Sequence, residues 1–350
     1  MNTTATRLFA ASGNFFGDVD PPGKLGLFRH EIGSAGWIHV LRDIPVYAVQ
    51  VDPHDPDRVI AGTRDGLYFS TDGGNSFEKA SCRQPQRAIW SLLADPLTPA
   101  CWYAGGSPAS IYRSLDHGAS WDLIAEPAIP DRARMPFAPR VMRMAVHPER
   151  ASDLYATLEI AGVIRSTDGG FTWSDCSAPL IALSDADPRL QSRIVCDMGA
   201  EGMLDGHAIC TSSTHPDRVL LACRMGVFES DDGGGHWTDL RLGRFSEFNY
   251  ARDIRVSPQD PSTLYACMSV ASASKNGALM RSVDFGATWT RFDKIQPHGT
   301  LMAVSLHPRD SEQVFIAARY GEVFGTLDGG ASWEEIPLPP IQHVYGLSCG

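Results

Sequence analysis

The sequence has no run of lysine and arginine, no CxxC cysteine pair and no unbroken apolar stretch of membrane-spanning length. Each absence excludes something. The 30 basic residues against 41 acidic ones leave a formal charge of −11, whereas a nucleic-acid surface needs a basic stripe. A transmembrane helix needs roughly twenty apolar residues in a row. Neither nucleic acid nor membrane is therefore an expected partner. The opening segment MNTTATRLFAASGNFF lacks the apolar centre of a secretory leader, so a cytoplasmic chain is expected. The eight cysteines are scattered, and cytosolic thiols stay reduced. Several sit in apolar runs such as LLACRM and LYACMS, where cysteine acts as a small hydrophobe. The P-loop, the G-x-S-x-G elbow, zinc-finger spacing and the dinucleotide fingerprint are also missing. No nucleotide or flavin cofactor is expected.

What the sequence does have is a repeat. An octapeptide recurs as STDGGNSF at 70, SLDHGASW at 114, STDGGFTW at 166, SDDGGGHW at 230, SVDFGATW at 282 and TLDGGASW at 326. Each ends a longer unit: an alternating strand, a turn rich in Pro and Asp, two further strands, the octapeptide and a fourth strand. Four short strands in about forty residues are the signature of a propeller blade. A seventh, degraded copy is GLFRHEIGSAGW (26–37), which aligns without gaps on GLYFSTDGGNSF (66–77). There Ile32 replaces the Asp and Trp37 keeps the aromatic slot. The first unit lacks an innermost strand, and VYGLSCG (344–350) matches VYAVQVD (46–52). The expected fold is all-β: a seven-bladed β-propeller in one domain, closed by pairing of the C-terminal strand with the N-terminal blade. The blades fall near 344–350 plus 1–40, 45–80, 88–124, 140–175, 207–240, 250–292 and 300–336, with a long insertion at 174–206.

The pattern S-x-D-x-G-x-[ST]-W resembles the Asp-box, or bacterial neuraminidase repeat, over essentially the whole chain. Sialidases, xyloglucanases, sortilin-type receptors and photosystem II assembly factors share it, so the resemblance implies a fold and leaves the function open. The residues themselves explain the repeat. Asp and Ser at this spacing can bond backbone N–H groups of a tight turn. The aromatic residue anchors the turn on the blade. Asp72, Asp116, Asp168, Asp232, Asp284 and Asp328 read as fasteners, not catalytic groups. The turns carrying His147, His215 and His307 lie on the same face as the octapeptides, away from the expected ligand mouth, and are read as structural.

Ligands of propellers enter the mouth of the central channel, lined by the starts of the innermost strands and the loops between second and third strands. Aligning the innermost strands on their closing proline places Ile44-Pro45, Arg87-Ala88, Pro139-Arg140, His207-Ala208, Asn249-Tyr250, Gly299-Thr300 and Gln342-His343 there, with His298 just before. The loops add Arg64, Glu159, Arg224, Arg319 and Tyr320. His207, His298 and His343 come from three blades and could share one divalent ion (Zn, Mn, Fe or Ni), or one of them could serve as general base. Glu159 is a further catalytic candidate; Asp205 could orient His207. Arg64, Arg87, Arg140, Arg224 and Arg319, with Tyr250 and Tyr320, are candidate substrate-binding residues, because guanidinium forks match carboxylates. The plainer reading is surface arginines paired with abundant Asp and Glu. Three excursions, 126–139, 174–206 and 269–277, flank the same face, the second long enough for a lid, a pocket wall or an oligomer contact. SGNFFGDVDPPGKLG (12–26) is read as the top loop of the first blade.

The expected function is a hydrolase or lyase acting on a small, polar, anionic molecule at the channel mouth. The alternatives are a glycosidase of the sialidase or xyloglucanase type, needing two acids across the pocket, and a non-enzymatic scaffold or assembly factor. The assembly state stays open.

Overall fold

Short runs such as VYAVQV, VMRMAV and LMAVSL are apolar on nearly every position, which suits strands buried on both faces. The computed structural model, which describes residues 5–14, 23–132 and 136–350, arranges them as seven antiparallel sheets in a ring. Six sheets have four strands, five of them in sequential order; the third blade gains a short parallel strand, Ser81–Cys82. The innermost strands are Val46–Val51, Ala88–Ala94, Val141–His147, Gly206–Ser212, Tyr250–Val256, Leu301–Leu306 and His343–Cys349. Each packs beside the next around a central channel, and the last returns beside the first. No helix among the described residues is long and apolar enough to cross a membrane.

The ring closes as the repeat pattern implies. Strand His343–Cys349 pairs antiparallel with Arg7–Gly13, from Leu8 opposite Cys349 to Gly13 opposite His343. A propeller has no single centre to bury, so its core is divided among the junctions between blades. Ile60 and Leu67 of the second blade pack with Ile89 and Trp102 of the third. Leu8 and Phe28 of the first pack with Phe315 and Val323 of the seventh. The loop expected over 12–26 lies largely outside the described residues.

The octapeptides are turn fasteners. In SLDHGASW, Ser114 Oγ donates to Asp116 Oδ1 at 2.8 Å and accepts from Gly118 N at 2.8 Å. Asp116 accepts from both the amide and the hydroxyl of Ser120. Trp121 Nε1 closes the turn on Gly118 O at 2.8 Å. Gly118 sits at φ 88, and a Cβ there would meet Ile60 Cδ1 at 2.2 Å, so a side chain is barred twice over. The other five copies repeat the Ser/Thr-to-Asp bond. Asp72, Asp168, Asp232 and Asp328 are held at a pKa of about 2, chiefly by the hydrogen bond from the side chain four residues on. His147 and His307 each accept a backbone N–H two residues ahead, which is turn chemistry.

Candidate functional site

A recess of about 250 Å3 opens where the innermost strands begin. Seven of the candidate residues line it: Arg140, Glu159, His207, Arg224, Tyr250, Arg319 and His343. Asp205 joins them from the insertion, at the end of the short helix Glu201–Leu204. All three excursions reach this mouth, through Phe137, through Ile194 and Asp205, and through Ser272 and Ala273. The 174–206 insertion thus supplies a wall of the recess.

Two ion pairs dominate the rim. Arg140 Nη1 donates to Glu159 Oε2 at 2.8 Å, with both side chains largely buried. Arg224 Nε donates to Asp205 Oδ2 at 2.9 Å. Asp205 also faces His207 Nε2 at 3.5 Å. Burial pushes the Asp205 carboxyl up, but His207, Arg224 and Arg252 outweigh burial and hold it at about 2. His207 Nδ1 lies 2.7 Å from Ala251 O. A carbonyl only accepts, so Nδ1 carries a hydrogen. Nε2 then faces Tyr250 Oη at 3.3 Å as well as Asp205. Burial pushes the Tyr250 hydroxyl up to about 12, so it stays protonated.

Apart from His207, the floor of the recess is not legible in the sequence, and its origin is a backbone irregularity. Every innermost strand carries a β-bulge near its start, where one residue is skipped by the ladder. The skipped residues are Tyr47, Trp90, Met142, His207, Arg252, Met302 and Tyr345, one per blade. A bulge re-aims a side chain, and here all seven line the channel. All except Tyr47 also line the mouth recess, so the ring of bulges stands between the two. One side of the ring is aromatic. Tyr47 stacks on Trp90 at 3.9 Å and 7°, and Tyr345 meets both edge-on. Arg140 lies 4.1 Å from the Trp90 ring and 4.0 Å from that of Phe137. Two groups that near one ring centroid must take opposite faces, so both faces of Trp90 are covered.

Three polar groups of the floor are open. Among the described residues Arg252 makes no hydrogen bond or ion pair, and Trp90 Nε1 and Tyr345 Oη are buried without a partner. Burial opposes the charge on Arg252, but Tyr250, Glu159 and Asp205 outweigh it and raise its pKa above the ordinary value. Buried donors left open mark a place where an acceptor belongs.

Four candidates lie elsewhere. His298 is exposed and bonds Glu322 through Nδ1 at 2.8 Å and through its backbone N–H at 2.9 Å. It does not line the recess. The proposed three-histidine set is therefore not assembled, and no group of three or more metal-ligating side chains is found among the described residues. The reason is register: His298 precedes the bulge of its strand by four residues, whereas His207 is the bulge. Arg87 pairs with Glu126 and Arg64 with Asp65, both outside the recess. Those two follow the plainer reading. Tyr320 is exposed at the outer lip, its ring 5.6 Å from His343.

No protein-family model matches the chain. It is 34% identical over 126 residues to the photosystem II assembly lipoprotein Ycf48 of Synechococcus sp. (strain CC9902), covering 35% of this chain and 34% of that protein. It is 26% identical over 316 residues to a xyloglucanase of Paenibacillus sp, covering 76% of this chain and 29% of that enzyme. The chain thus spans about a third of the length of these relatives. Among solved structures, a xyloglucanase from Xanthomonas campestris superposes with TM-score 0.62 at 17% identity, over 83% of this chain and 45% of that one. Ycf48 bound to D1 peptide superposes with TM-score 0.57 at 14% identity, over 93% of both chains. The chain is a seven-bladed β-propeller.

Proposed function

We propose that this propeller is a recognition protein of the assembly-factor kind, which captures an anionic segment of a partner protein in its mouth, and that it does not cleave glycosides. The observation that carries this is the charge of the lining: Arg252 stands at the floor with no ion pair among the described residues, and Trp90 Nε1 and Tyr345 Oη beside it have no acceptor. Around them four arginines (140, 224, 252 and 319) outnumber two carboxylates, Glu159 and Asp205. Against an overall charge of −11, a locally cationic recess selects for ligands that insert an acid into it. A recess of about 250 Å3 accommodates one or two side chains. The Ycf48 structure, a chain of matching extent, holds a peptide.

The xyloglucanase reading fits less well. Glycoside cleavage needs one carboxyl poised as an acid, whereas both mouth acids are held by arginine and Asp205 stays ionised. A sugar ring stacks on an open aromatic face, and Trp90 has none. Of the groups behind the hydrolase or lyase expectation, His207 has both nitrogens engaged, Glu159 is paired with Arg140, and His298 lies outside the recess that His343 lines.

Binding of fluorescein-labelled hexaglutamate, measured by polarisation at low ionic strength, tests the proposal. The wild type is expected to bind it and to ignore hexalysine. Arg252→Gln and Arg319→Ala should each weaken binding by about tenfold, the loss of one charge-assisted contact. Binding indifferent to peptide charge, or xyloglucan hydrolysis abolished by Glu159→Gln, would overturn it.

A further inference from the structure

Below the ring of bulges the channel continues as a separate cavity of about 240 Å3, running to Pro53, Pro258 and Pro308 at the far face. Its charged lining has one sign. Arg143, Arg252 and Arg255 line it, and no aspartate or glutamate among the described residues does. One carboxylate stands behind them. Asp253 is fully buried and faces Arg143 Nη2 at 3.5 Å and Arg255 Nε at 3.2 Å. Its oxygens are already occupied, since they also accept from Ile254 N at 3.0 Å and Val304 N at 3.2 Å.

A single carboxylate shared by two guanidiniums leaves one positive charge uncompensated. Arg252, with no ion pair among the described residues, adds a second. Arg143 shows the imbalance. Its Nε is buried with no hydrogen-bond partner. Burial, and next the neighbouring Arg255, push its pKa down to about 10 in spite of Asp253. Each guanidinium has five N–H groups in a planar fork, and the one carboxylate engages few of them. Like charges confined in a low-dielectric wall repel strongly. Channel water weakens that repulsion, and an anion removes it.

We infer that the channel holds a second anion site, below the mouth and distinct from it, which takes a free inorganic oxyanion of phosphate or sulfate size between Arg143 and Arg255, with Arg252 above. A free ion fits better than the tip of a mouth ligand because seven bulged side chains stand between the two cavities. The tetrahedral class follows from the lining: guanidinium forks from two blades approach from different directions, and such an ion presents an acceptor to each.

Calorimetric titration with inorganic phosphate at low ionic strength tests this. The wild type should bind one phosphate per chain. Arg255→Gln should weaken it by about tenfold or more, the loss of a charge-assisted bidentate contact. Arg255→Lys keeps the charge without the fork; it should fall between the two, and it decides the matter if the glutamine variant does not fold. Arg319→Ala, which alters only the mouth, should bind phosphate as the wild type does. No phosphate binding by the wild type, an undiminished affinity in both Arg255 variants, or loss of affinity in Arg319→Ala would each overturn the inference. Hexaglutamate binding is read separately, so failure of the mouth proposal leaves this one standing, and the reverse.

Discussion

At the scale of single residues, the mouth depends on Asp205. This carboxylate holds Arg224 at 2.9 Å and lies 3.5 Å from His207, and it is buried. Its pKa of about 2 lies below the ordinary 3.8. A depressed folded value means that the stabilisation is full above the ordinary value and is lost as pH falls through the folded one. Asp205→Asn should therefore cost about 3 kcal/mol near neutral pH, the typical cost of removing one partner from a buried pair. The difference from wild type should shrink between about pH 4 and pH 2, as the wild-type carboxylate itself becomes protonated. Urea unfolding of both proteins at pH 7 and at pH 3 checks the size and the sign. His207 was legible from sequence because it stands at the mouth in the proline-anchored alignment, and Arg224 because it lies in a loop between second and third strands. Arg252 was not. It lies two residues beyond the pair that alignment selected, at a position exposed to the channel only because the ladder skips it. Propensity and periodicity do not announce a bulge. The signal available was positional: in five blades the skipped residue lies five ahead of the residue before the closing proline, as Tyr47 does before Asp52, whereas in the unit closing on Pro216 the skipped His207 lies eight ahead of His215.

At the scale of elements, the octapeptide and the insertion contrast in how much sequence reveals. The octapeptide was readable because its bonds are local: Ser114 reaches Asp116 and Gly118 within one turn. Ser114→Ala removes a buried hydroxyl that accepts the Gly118 N–H and leaves that amide unsatisfied. It should cost about 1–2 kcal/mol, seen as a lowered midpoint in thermal unfolding. The insertion was readable only as an excess of length. Its helix Ala178–Ala186 has no clear apolar stripe, although Leu180 is buried beside Leu190 and Met203. Glu201, fully buried, accepts the backbone N–H groups of Ile194, Val195 and Cys196. Glu201→Gln places an N–H2 group among three donors. Hydrogen exchange at residues 194–196 should accelerate markedly in this variant, while the strands of neighbouring blades keep wild-type protection.

At the scale of the whole molecule, closure decides stability. The strand His343–Cys349 supplies the inner edge of the first blade and packs beside Val46–Val51 of the second and Leu301–Leu306 of the seventh. Truncation after Gln342 would expose the edge of Arg7–Gly13 and uncover Phe28 and Phe315. Such a chain should lose its single cooperative melting transition and elute from gel filtration as aggregate, the usual fate of an unpaired apolar edge. Closure was legible because VYGLSCG repeats VYAVQVD. The cavity at the axis was not, since it depends on seven side chains from seven segments meeting at one level. That meeting has an evolutionary corollary. Arg252 and Met302 occupy positions without a cross-strand counterpart, so replacing either leaves the surrounding ladders intact. Propellers of this type can exchange one preferred guest for another by drift at the axis without shifting the register of their strands.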